Sequence, residues 1–166
     1  MYRWWVFLHI LGAFGFLLAH GVSVAMALAL RREREPQRVQ ALLGLSRVYI
    51  GVAYVSLLVL LTGGIVAGFL GQWWGAGWIW TALAILIALT IAMGLLGTSY
   101  YDRVRIAVGT EPVLGSRKKA WLQERPSPAS SEELDALLSS GRPFLLVWMG
   151  VIGLAVILWL MVLKPF

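Results

Sequence analysis

His9 and His20 are the only histidines in this chain of 166 residues, and both fall in its first apolar run. That run, Trp4 to Leu30, contains no Asp, Glu, Lys or Arg. The two rings are three helical turns apart, about 16.5 Å of rise, and within about 20° of one another around a helix axis. The face they share also carries Gly12, Ala13, Phe16, Ser23 and Ala27, whereas Phe7, Leu11, Leu17, Leu18 and Val22 mostly lie elsewhere. The histidines are therefore expected to face protein. An imidazole inside a bilayer is costly unless it has a partner, which makes both rings functional suspects.

Three chemistries compete for that face. The first is ligation of haem b, for which imidazole is a strong axial ligand. Gly12, Gly15 and Gly21 would make room beside the rings, and Met93, at about the depth of His20, is a second-ligand candidate. Two histidines cannot supply a four-histidine, two-haem site within one chain, although a parallel homodimer could pair His9 with His9 and His20 with His20. The second use is structural. A neutral ring can donate to a helix carbonyl, or to Tyr54, Ser56, Thr62, Thr81, Thr90 or Thr98 on a neighbouring helix. The third is a metal or proton path. His9 and His20 are too far apart to share one ion. Copper would draw on them separately, or on the thioethers of Met26, Met93, Met149 and Met161.

The elements that must position these residues are long and apolar. The chain is 60% hydrophobic and only 13% charged, against about 25% in a soluble domain. Four stretches are long enough to cross about 30 Å of hydrocarbon: 4–30, 49–70, 78–101 and 143–163. No alternating pattern of a barrel is seen. The expected fold is all-α, one domain over 1–166. It is a transmembrane four-helix bundle with a short amphipathic cytoplasmic helix before the last span. Arg3, the first apolar run and Ala27-Leu28-Ala29 also resemble a signal peptide, but the run exceeds a typical signal core, so it is expected to remain as a span.

Twelve of the fourteen lysines and arginines lie in the connections 31–48 and 102–142. The positive-inside rule places both connections in the cytoplasm and both termini outside. Trp4, Trp5, Trp73, Trp74, Trp78 and Trp80 then fall at the outer surface, where an aromatic belt belongs. The net charge of +6 is accounted for by topology and attraction to anionic lipid, so nucleic acid is not an expected partner. The absence of cysteine removes thiolate metal sites and iron–sulfur clusters. No P-loop, G-x-S-x-G, H-E-x-x-H or dinucleotide fingerprint is found. Membrane segments free of charge also argue against an ion-coupled transporter.

Local signals fill in the connections. Pro36 suits a helix start, with Val39, Leu42 and Leu43 on one face and a bend expected at Gly44. Ser116 to Glu124 places lysines beside Trp121 and Leu122, as in a membrane-surface anchor. Arg125-Pro-Ser-Pro is a break. Ser130 and Glu133 fit a capping box, with Leu134, Leu137 and Leu138 expected to seal the bundle and Gly141 to stop the helix. Gly64 and Gly68, the stripe Ala84, Ala88 and Ala92, and the pair Gly150 and Gly153 are packing signals within the monomer or, secondarily, in a homodimer.

The stretch Phe7-Leu8-His9-Ile10-Leu11-Gly12-Ala13-Phe14-Gly15-Phe16 resembles the first helix of a group of small bacterial membrane proteins. The group includes CopD-like copper-resistance domains, HemJ-like protoporphyrinogen oxidases and uncharacterised four-span families; the layout of the whole chain is most similar to the last. The HemJ-like resemblance implies haem b on His9. The basic residue expected within a later span of those enzymes is missing, as is the His-rich or Met-rich end motif expected for copper handling. The resemblance implies a bacterial inner membrane. The resulting expectation is a haem b-binding membrane protein with a redox or accessory electron-transfer role, held by His9, His20 and Met93. The alternatives are a non-catalytic accessory subunit of a larger membrane complex, or copper handling at His9 and His20.

Overall fold

The structure is a computed structural model that describes residues 1–113, 115–124 and 127–166. Four long apolar helices dominate it: α1 (Tyr2–Arg32), α2 (Pro36–Leu70), α3 (Gly77–Ala107) and α6 (Arg142–Leu163). Two short helices, α4 (Gly115–Glu124) and α5 (Ser131–Leu138), separate α3 from α6. No strand is found among the described residues. The side chains turned outward include Phe7, Leu18, Leu58, Leu95 and Leu158. Such an apolar exterior suits lipid as the solvent.

The first connection is much shorter than the expected 31–48. Only Glu33 to Glu35 separate α1 from α2, and α2 starts on Pro36 and runs through Gly44 unbroken. The Glu33 carboxylate closes this turn by accepting from the backbone N–H groups of Glu35 (3.1 Å) and Arg34 (3.0 Å), which hold it below the usual carboxylate range. At 35 residues α2 is about 52 Å long, well beyond a hydrocarbon core of about 30 Å. The surplus stands at the arginine-rich end. There Met26 and Leu30, Val39 and Leu43, Tyr100 and Val104, and Leu134 and Leu138 form one buried cluster from α1, α2, α3 and α5.

Helix α5 is fixed as its sequence anticipates. Ser130 accepts from the Glu133 N–H, and the Glu133 side chain accepts from the Ser130 N–H. Its stop differs, however. The helix ends at Leu138 with Ser139 as its C-cap, while Gly141, at a right-handed φ of −75°, caps the start of α6. Arg34 ties the α1–α2 turn to α5 by an ion pair with Asp135. Of the expected Arg125-Pro-Ser-Pro break, Arg125 and Pro126 lie outside the described residues.

The opposite end is aromatic. Trp78 is buried with Ala82 and Leu160, and its N–H donates to the Phe166 carbonyl at 3.1 Å. The Lys164 ammonium lies over the Trp73 ring, 4.1 Å from its centroid. Trp73 thus packs against Trp78 and Trp74 against Trp80 at this end.

Candidate functional site

The bundle is built of two close pairs, α1 with α2 and α3 with α6, that meet less intimately. Glycine explains the first pair. A Cβ on Gly12 would strike the backbone of Leu60, and one on Gly63 would lie 2.6 Å from the His9 nitrogen. Backbones this close leave no room for a ligand between α1 and α2. In the second pair Gly153 receives the side chain of Leu89. Of the stripe Ala84, Ala88 and Ala92, the first two are exposed and Ala92 is half-buried.

His9 belongs to the α1–α2 seam. Its Nδ1 lies 2.8 Å from the Leu60 carbonyl oxygen, so the ring donates to a main-chain acceptor of α2, and its flank rests on Gly64. Neither the hydroxyls nor the phenol named from the sequence serve it. Gly12 and Gly15, expected to give space beside the rings, are occupied by Leu60 and Ser56, and Gly21 faces open surroundings.

His20 is placed differently. Between the two helix pairs lies a cavity of about 390 Å³, within the range of small-molecule sites, and His20 and Met93 both line it. The Cε1–Nε2 edge of His20 lies against Gly150 of α6, where any side chain would collide with the ring. Its Nε2 is buried and has no hydrogen-bond partner among the described residues. His9 is not among the cavity walls. The structure therefore brings together His20 and Met93, from diagonal helices, and separates His9 from both.

The cavity is polarised along its length. Leu57, Leu86, Leu89, Leu146 and Leu154 form apolar walls. Toward the arginine-rich end, the hydroxyl side chains of Ser23, Tyr49 and Tyr101 gather on the cavity wall from three helices. Beyond them Arg105, buried, donates to the Leu43 carbonyl at 2.8 Å and to the Ser46 hydroxyl, and Ser46 donates to the same carbonyl at 2.6 Å. The Asp102 carboxylate, also buried, accepts from the Val113 N–H at 2.7 Å. A polar group without a partner is costly in such surroundings, so a ligand offering a matching acceptor or metal would gain from His20.

Asp102, Arg105 and the hydroxyl triad escaped the sequence reading, which assigned 102 onward to a connection. The available signal was helical phase. Thr90, Met93, Gly97, Tyr101 and Arg105 recur at three- and four-residue steps, so one face of α3 continues past the expected end of the span. Among the described residues no group of three His, Cys, Asp or Glu side chains gathers that could hold a metal ion by itself. No protein-family model, curated protein or solved structure matches this chain.

Proposed function

We propose that the chain is a haem b-binding membrane protein with a redox or accessory electron-transfer role, and that the cofactor occupies the cavity between the helix pairs. The observation that carries this reading is His20, a residue of the cavity wall whose Nε2 is buried against Gly150 without a hydrogen-bond partner. Turned from Gly150 into the cavity, that nitrogen would suit an iron, and Met93 offers a thioether from the diagonal helix. Room comes from Gly94 and Gly97 along the walls, not from the glycines of α1 or from Gly150, whose space the His20 ring fills. The donor chemistry of His20 and Met93 fits the group.

Bound haem b would supply one-electron transfer at its iron. The chain's own residues divide the remaining work. His20 and Met93 would hold the iron. The leucine walls exclude water. The hydroxyls of Ser23, Tyr49 and Tyr101 would present donors to the polar edge of a planar amphiphile. His9 in this reading is a packing residue.

We further place the protein in a bacterial inner membrane with both termini outward. The support is the segregation of charge: the arginine-rich turn and loop sit at one end, and Trp4, Trp5, Trp73, Trp74, Trp78, Trp80 and both chain ends at the other. The test of the cofactor is a reduced-minus-oxidised visible spectrum of protein expressed with haem supplied. A Soret band with sharp α and β bands is expected in the wild type and in His9→Ala, and its loss in His20→Ala. A colourless wild type overturns the reading and leaves the accessory-subunit role as the one to pursue.

A further inference from the structure

We infer that the cavity opens sideways into the bilayer between α2 and α3 and takes its ligand from lipid; that this ligand is haem b rests on the reading above. Three of the four seams around the cavity are shut. Gly12 and Gly63 bring α1 and α2 into backbone contact, Leu89 fills Gly153 between α3 and α6, and His20 abuts Gly150 between α1 and α6. Helices α2 and α3 touch least of the neighbouring pairs, and no glycine on either one meets the other.

The exposed walls of the cavity agree with this. Tyr54 on α2 is 65% exposed, and Gly94 on α3 is exposed with nothing within 4 Å of where its Cβ would stand. Counted from the tryptophan end, Tyr54 lies about 24 Å along α2 and Gly94 about 26 Å along α3. The two are thus at one depth, within a hydrocarbon layer of about 30 Å. The ends are obstructed. Arg105 bridges from α3 to Leu43 and Ser46 on α2 at one, with Leu134 and Leu138 beyond, and the cluster of Trp73, Trp78, Ala82 and Leu160 stands at the other. The third exposed wall residue, Val113, sits at the arginine-rich end, where Asp102 holds its N–H.

A molecule entering between Tyr54 and Gly94 must first dissolve among acyl chains. The class of ligand that fits is an apolar, flat body with one polar edge. That edge would meet the Ser23, Tyr49 and Tyr101 hydroxyls, which lie on the arginine-rich side of the mouth.

The test reconstitutes the full chain in phosphatidylcholine vesicles containing a phosphatidylcholine with a diazirine on its acyl chain, and maps photoadducts by mass spectrometry. Adducts are expected on the inward residues Ala53, Thr90 and Met93 as well as on outward Leu58 and Leu95. Gly94→Phe, which has space to fold, should lose the inward adducts and keep the outward ones. Adducts confined to Leu58 and Leu95 overturn the inference, as does inward labelling by a water-soluble diazirine in place of the lipid probe. Prior loading with hemin should protect the inward residues. Inward labelling that hemin does not block supports lateral entry while counting against haem as the occupant.

Discussion

At the scale of single residues, the two histidines differ in what their nitrogens meet. His9 donates to Leu60 across a seam where backbones touch, and interhelical hydrogen bonds of this kind contribute about 0.6–1.7 kcal/mol. His9→Ala should lower stability by about that amount in detergent unfolding, with any haem spectrum unchanged. For His20 the sensitive neighbour is Gly150. Gly150→Ala puts a methyl where the Cε1–Nε2 edge of the ring now lies, and overpacking typically costs about 1–3 kcal/mol. The ring must turn to relieve it. The expected outcome is a weakened or shifted Soret band together with a lower melting temperature. An unshifted spectrum in Gly150→Ala would mean that His20 does not sit on the iron. The pairing of ring and glycine was invisible in the sequence, because it joins residues 130 positions apart on helices whose contact no local pattern encodes.

At the scale of elements, the spans, the capping box at Ser130 and the apolar faces of α2 and α5 were legible, because each follows from local period or cap chemistry. The helix ends were less so. Hydropathy marks where lipid begins, whereas hydrogen bonding along Asp102 to Ala107 and Pro36 to Tyr49 carries the helices past it. Glycines show the same limit. Their small size announces close packing but not the partner, so Gly12 and Gly15 look alike with Gly21 in sequence and differ in place. The matched pair tests this. Gly12→Ala meets the Leu60 backbone, which cannot rotate away, and should destabilise the protein by about 1–3 kcal/mol. Gly21→Ala has nothing within 4 Å and should stay within about 0.5 kcal/mol of wild type. Equal melting temperatures for the two variants would deny the tight α1–α2 pairing.

At the scale of the whole molecule, two physical gradients run along the bundle axis in the same sense. Cations concentrate at the end where α1 turns into α2 and where α4 and α5 sit, and tryptophans at the end that holds Tyr2 and Phe166. The cavity's polar groups follow the cations, since Arg105 is both a wall of the site and one of the cations gathered at that end. Lysine and arginine near the ends of spans resist translocation, so the arginine-rich end is the one expected to remain in the cytoplasm. A C-terminal alkaline phosphatase fusion should then be active and a C-terminal fluorescent-protein fusion dark, with the converse for fusions inserted after Ser139. A dark phosphatase and a bright fluorophore at the C-terminus would invert the molecule. The polar end of the cavity would then face outward, and any partner that exchanges electrons with the site from the aqueous side would have to approach from the opposite surface.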